Sequence, residues 1–157
     1  MRITAKVDYA VRAVIELAAA DPPQVKGEQL AERQSIPLKY LENILADLRR
    51  AGLVASQRGA DGGYRLALPA ASINVADIIR AVEGPLADVH GTSPETLDYP
   101  GPARSLRQVW VATRAALRAV LEEVTIADIA NDSLPAALDD LLTDPEAWSR
   151  RRATPTR

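Results

Sequence analysis

Lys39, Tyr40, Glu42 and Asn43 fall on one side of a short amphipathic stretch whose other side carries Leu38, Leu41, Ile44, Leu45 and Leu48. An ammonium, a phenol, a carboxylate and an amide make a surface of donors and acceptors, not a nucleophile with its base. Further on, Arg58 opens the run Arg58-Gly59-Ala60-Asp61-Gly62-Gly63, with three glycines in six residues. A guanidinium beside a tip so poor in side chains can follow a phosphate backbone. It can also enter a narrow groove of negative potential. The chain has a single histidine, His90, and no cysteine. Nothing in it resembles a nucleophile elbow, a phosphate loop or a paired metal motif, which argues against an enzyme. The missing thiols exclude disulfides and thiolate-held clusters.

The elements that must position these groups follow from periodicity. Ala, Leu and Val dominate the apolar half of this 157-residue chain, and Phe is absent, a palette suited to helices. Residues 9–20 read as a helix, stopped by Asp21-Pro22-Pro23. Residues 27–34 form a short second helix, and 38–50 a third, entered through Pro37 and closed at Gly52. The period then changes. Residues 53–57 and 64–68 read as strands of a hairpin tipped by the glycine run. Residues 75–82 are a fourth short helix, and 86–102 a loop rich in breakers that carries His90. The longest helix is expected over 103–124, with Leu106, Val109, Trp110, Thr113, Leu117, Val120, Leu121 and Val124 along one side. A further turn over 126–130 and an amphipathic helix over 134–142 follow. The end, with Arg150–Arg152, reads as a disordered tail.

Charge supports a division of labour. The net charge is −2, yet residues 1–68 hold ten cationic against eight acidic side chains, and residues 69–157 nine against thirteen. No apolar run reaches the ~18–20 residues of a membrane span, and no signal-peptide pattern opens the chain, so a cytoplasmic protein is expected. Asp8 reads as a helix N-terminal charge, and Trp110 as packing. Arg104, Arg107, Arg114 and Arg118 read as a solvated face shared with Glu122 and Glu123.

Three short helices followed by a glycine-tipped hairpin is the order of a winged helix-turn-helix, whose third helix lies in the DNA major groove. The fold class expected is therefore mainly α with a small β-hairpin wing. It comprises a winged helix-turn-helix domain over 1–84, a loop over 85–102, a dimerisation helix with C-terminal helices over 103–145, and a tail over 146–157.

The stretch Gly52-Leu53-Val54-Ala55-Ser56-Gln57-Arg58-Gly59-Ala60-Asp61-Gly62-Gly63-Tyr64-Arg65-Leu66 resembles the signature of the Rrf-two family of winged-helix transcription regulators. Met1-Arg2-Ile3-Thr4, Tyr9-Ala10-Val11-Arg12, Tyr40-Leu41-Glu42 and the run from Ile78 to Glu83 fit as well. The resemblance implies a homodimer formed through the long helix, with an operator in double-stranded DNA as partner. It implies base-edge contacts at Glu42 and Asn43, phosphate contacts at Lys39 and Tyr40, and a wing contact at Arg58, with Gly59, Gly62 and Gly63 shaping the tip. Glu accepting from cytosine and Asn bonding adenine are sensible pairings. The family's cluster-binding members carry three cysteines in the loop before the long helix, and this chain has none, so no cofactor is expected. Asp8 sits where some relatives offer a carboxylate to the cluster. A repressor whose loop 86–102 or dimer crevice answers a small-molecule effector is the leading expectation. A winged-helix module that binds protein instead of DNA is the alternative, separable by salt-sensitive duplex binding.

Overall fold

The computed structural model describes residues 2–149. Helix α1 (Ala5–Ala18) begins four residues earlier than the apolar periodicity suggests, because Thr4 caps it. The Thr4 hydroxyl accepts from the Val7 N–H at 3.2 Å, and Asp8 lies in the first turn, where a carboxylate favours the positive end of the helix dipole. Val7, Ala10, Ala13, Val14 and Leu17 form its buried stripe. Helix α2 (Gly27–Gln34) buries Leu30 and Ala31 and ends at Ser35, whose φ of 53° turns the chain toward Pro37. Helix α3 (Leu38–Arg50) buries Leu41, Ile44, Leu45 and Leu48 completely.

Strands β1 (Val54–Gln57) and β2 (Gly63–Leu66) pair antiparallel, from Val54 opposite Leu66 to Gln57 opposite Gly63. A third piece of extended chain, invisible in the sequence, joins them. Val25 and Tyr64 exchange backbone hydrogen bonds of 2.9 and 2.8 Å. That approach dictates the glycine at 63, where a Cβ would stand 2.7 Å from the Val25 carbonyl oxygen. At Gly62 a Cβ would stand 2.6 Å from the Gln57 carbonyl oxygen, so both positions need glycine for space. Helix α4 (Val75–Glu83) is capped reciprocally by Asn74 and Asp77.

The loop spans residues 84–105, longer at both ends than the 86–102 expected, with single 3₁₀ turns at Pro94–Thr96 and Gly101–Ala103. Helix α5 (Leu106–Leu121) is shorter at both ends than the 103–124 expected. Beyond it the chain turns back. The Val75 N–H donates to the Val124 carbonyl at 3.0 Å and the Ile126 N–H to the Ile73 carbonyl at 2.9 Å. Helix α6 (Ile126–Ala130), capped by Thr125 and Asp128, then places Ile126 in the same core as α1, α3 and α4. Ile126, with half-buried Ile129 packed against it, thus joins α6 to the core formed by the first 84 residues. The helix expected over 134–142 is broken into a 3₁₀ turn at Ala136–Leu138 and α7 (Asp139–Thr143). Pro135 and the paired Asp139 and Asp140 favour helix starts there, not interiors. Residues 146–148, expected in the tail, belong to a 3₁₀ turn at Pro145–Trp148; the remaining tail, from residue 150, lies outside the described residues. No helix among the described residues is long and apolar enough to cross a membrane.

Candidate nucleic-acid interface

The leucines of α3 fix its rotation, and that rotation presents Lys39, Tyr40, Glu42 and Asn43 to solvent. Two features of the helix differ from its sequence reading. Leu38, expected in the apolar stripe, is 37% exposed. Asp47, whose spacing puts it on the same side as Asn43, is clamped instead: Lys6 Nζ stands 2.8 Å from its carboxylate, and Arg50 pairs with it too. The Lys6 hydrogen bond above all holds the Asp47 carboxyl below the usual carboxylate range, against a smaller opposing effect of burial. Lys6 also donates to the Val82 carbonyl at 2.6 Å, so one ammonium ties α3 to α4.

Tyr40 is anchored at its base and open at its edge. Its ring meets Tyr9 edge to face at 5.9 Å between centroids, and the Arg12 guanidinium lies 5.5 Å from the Tyr9 ring. Arg12 in turn donates to Asp8 at 3.1 Å and to the Gln34 side chain at 2.8 Å, joining α1 to α2. Asp8, read as a helix-start charge, is also the acceptor that orients Arg12. The platform beneath α3 is thus braced by both packing and charge.

The wing presents a further cation. Arg58 is exposed and has no ion pair among the described residues. The tip is held by the Gly62 N–H donating to the Gly59 carbonyl at 2.9 Å, and by Gln24 Nε2 donating to the Asp61 carbonyl at 2.6 Å. Arg58, Gly59, Gly62 and Gly63 line a cleft of about 420 Å³ together with Lys26 and Arg49. Lys26 and Arg49 were not picked out from the sequence. Arg49 donates to the Ser56 hydroxyl at 3.0 Å, linking the end of α3 to β1. Its placement in the last turn of α3 was the available signal, although a basic residue there is commonly a partner of the helix dipole.

The long helix has no fully buried side chain. Val109 is 52% exposed, Thr113 is exposed, and Leu106, Trp110, Leu117, Val120 and Leu121 are half-buried. Leu117, Val120 and Leu121 line an apolar trough of about 310 Å³ with Ile3, Val7, Ile79 and Leu86. Val124 does not belong with them: it lies beyond α5 and is buried in its own protomer. Arg114 also departs from the solvated face expected for it. Its side chain is 14% exposed and bonds Glu95 at 2.6 Å and the Ser93 hydroxyl at 3.0 Å, pinning the 93–95 turn onto α5. Glu95 is held down at about 2 by its own backbone N–H, then by Ser93 and Arg114.

In sequence and in overall fold the chain is similar to known proteins. The model of the Rrf2 family, described as an iron-dependent transcriptional regulator, matches residues 3–132. The chain belongs to the Rrf2 family. A Mycobacterium tuberculosis protein whose name places it among HTH-type transcriptional regulators is 46% identical over 153 residues, covering 97% of this chain and 95% of the relative. The HTH-type transcriptional regulator CymR of Bacillus subtilis is 37% identical over 134 residues, covering 83% of this chain and 91% of the relative. Among solved structures, CymR, the global cysteine regulator of B. subtilis, superposes with a TM-score of 0.70 at 35% identity, covering 84% of this chain and 98% of that one. The structure of IscR from T. potens gives 0.68 at 35% identity, covering 85% and 88%. As an Rrf2-family member the chain is a DNA-binding, HTH-type transcription regulator and not an enzyme.

The family's description names iron, and the residues of this chain do not fit a thiolate-held cluster. There is no cysteine, and among the described residues no three His, Asp or Glu side chains gather as a metal site. His90 stands in the loop at a φ of 52°, beside a pocket lined by Trp110, Thr113 and Leu117, without a second imidazole or a thiolate to join it.

Proposed function

We propose that the protein is a sequence-specific repressor, active as a homodimer, which reads its operator through α3 and positions itself with the wing. The observation that carries this reading is the rotation of α3: four leucine and isoleucine side chains are fully buried and Lys39, Tyr40, Glu42 and Asn43 are exposed, while Arg58 of the wing shares a cleft with Arg49 from the last turn of the same helix. Glu42 and Asn43 are the base readers, since a carboxylate and an amide discriminate cytosine and adenine edges. Lys39, Tyr40 and Arg58 bond phosphates or groove walls, with Gly59, Gly62 and Gly63 letting the tip approach closely. Two such surfaces related by a two-fold axis suit an operator with two-fold symmetry. Leu106, Val109, Trp110, Thr113, Leu117, Val120 and Leu121 make the seam, because a long helix with none of its side chains fully buried leaves apolar area for a partner to cover. No iron–sulfur cluster takes part. A small-molecule effector acting at the loop 86–102 or the dimer crevice controls occupancy. The relatives are bacterial, so the chromosome, and with it this regulator, is in the cytoplasm.

Selection from a random duplex library tests the reading. The expected product is an enriched inverted repeat with half-sites about one helical turn, or a multiple of it, apart. Recovery of duplexes with no common motif contradicts sequence reading. A motif without two-fold symmetry contradicts the homodimer.

A further inference from the structure

After α6 the chain leaves the core. Residues 133–149 contain four acidic side chains, Asp139, Asp140, Asp144 and Glu146, and the basic run Arg150–Arg152 follows them in the sequence. Their apolar side chains lie open: Leu134 is 48% exposed, Leu141 55%, Leu142 41% and Trp148 75%. The principal packing of α7 is against the turns on either side of it, and the Trp148 indole donates to the Leu142 carbonyl at 2.7 Å. The segment is therefore a locally folded arm, acidic and apolar at once. Scattered exposed apolar residues are ordinary; four large ones within a short arm mark a contact surface. The matched family region ends at residue 132, so the arm is an addition to the family's common body. The match to the M. tuberculosis relative extends into it.

A surface of opposite character lies on α5. Residues 104–118 carry Arg104, Arg107, Arg114 and Arg118 and no carboxylate. Arg114 and Arg118 have Glu95 and Glu122 as partners, and Arg104 and Arg107 have no ion pair among the described residues. Beside Arg107 runs an open groove of about 500 Å³ lined by Val111, Ala112 and Ala115, and by Glu95, whose carboxylate is already paired with Arg114. By helical geometry these positions lie on the side of α5 opposite Leu106, Thr113 and Leu117. The proposed dimer seam and this groove therefore do not compete.

We infer that the acidic arm of each protomer docks in the arginine-edged groove of α5 on the second copy. Leucines 141 and 142 enter between the alanines, where small side chains allow close approach, and Asp139 and Asp140 face Arg104 and Arg107. The arm thereby straps together a dimer whose seam is on the other side of the same helix. The inference rests on the homodimer proposed above.

The cysteine-free sequence makes the test clean. Two full-length chains distinguishable by mass, one carrying Leu142→Cys and the other Ala112→Cys, are mixed and oxidised mildly. A disulfide joining the two different chains is expected. Absence of that link contradicts the inference, and so does a link formed only within one chain when both substitutions are combined. Sedimentation supplies the second measurement. Reversing Arg104 and Arg107 to Glu is expected to weaken the dimer by about tenfold, and Asp139→Lys with Asp140→Lys to restore it. A full-length wild-type chain that is monomeric contradicts the homodimer itself. A stable dimer indifferent to these reversals contradicts only the docked arm.

Discussion

Glu42 and Asn43 stand next to each other on α3 with no intramolecular hydrogen bond to either side chain among the described residues. Their availability follows from leucine placement one turn away, which is why these positions were legible in the sequence: a helix with a strict apolar stripe leaves few places for its polar groups to go. Residues fixed by distant partners were not legible. Asp47 has the spacing of the exposed face, but Lys6 comes to it from α1. Arg114 has the spacing of a solvated row, but Glu95 reaches it across the loop. The second pairing makes a pH prediction. The folded Glu95 carboxyl titrates at about 2 against an ordinary 4.5, so its contribution to holding the 93–95 turn is complete above about 4.5. It is lost as pH falls from there toward 2. Carbon-detected NMR titration of the Glu95 carboxyl should give a midpoint near 2, set first by its backbone N–H and Ser93, and a higher one in Arg114→Ala; a midpoint near 4.5 in the wild type contradicts this arrangement of the turn, and an unchanged one in Arg114→Ala contradicts the pairing. The ligand set makes a second prediction. Anaerobic reconstitution with iron and sulfide should leave the protein colourless, because no thiolate is present to hold a cluster. Stoichiometric iron with visible absorbance would overturn that.

At the scale of elements, the short helices were legible from their periodicity and the hairpin from its glycines. Errors arose where a side chain ended or began an element against the apolar pattern. Thr4 starts α1 early, through a hydroxyl cap that precedes two charged positions. Val124 continues the spacing of α5 but belongs to the chain's return into the core. The Val25 strand piece could not be read at all, since its partner Tyr64 is remote in sequence. It gives the wing a sharp test. Gly63→Ala places a methyl against the Val25 carbonyl and should destabilise the protein by about 1–3 kcal/mol in urea unfolding, as overpacking typically does. An unchanged midpoint would mean that the wing does not pack on the 24–26 segment. For α5, Val109→Glu is preferable to substitution of Leu117, which also lines the protomer's own apolar trough. A charge at exposed Val109 should leave the protomer folded and shift the population to monomer in sedimentation velocity. A dimer of unaltered stability would move the seam elsewhere.

On the scale of the whole molecule, a chain of net charge −2 binds a polyanion only if its charge is unevenly arranged. The modest excess of cations in residues 1–68 indicated this. The structure concentrates the effect by bringing Lys26, Arg49 and Arg58, against the single carboxylate of Glu28, to one cleft from segments that are far apart in the chain. The acidic arm and the carboxylates of the C-terminal half lie in other parts of the sequence, outside that cleft. Membership of the Rrf2 family makes the protein a DNA-binding regulator, and the division between reading and positioning is the part that this chain's own residues must establish. The most direct measurement is fluorescence anisotropy of wild type, Glu42→Ala, Asn43→Ala and Arg58→Ala. Each is titrated against a selected operator and its single-base variants at several salt concentrations. Glu42→Ala and Asn43→Ala should each flatten discrimination at particular positions, at about 1–3 kcal/mol per lost base contact. Arg58→Ala should weaken all duplexes alike and reduce the salt slope by roughly one charge per wing. Base preference intact in both α3 variants, together with an Arg58→Ala salt slope equal to wild type, would contradict the account at its centre.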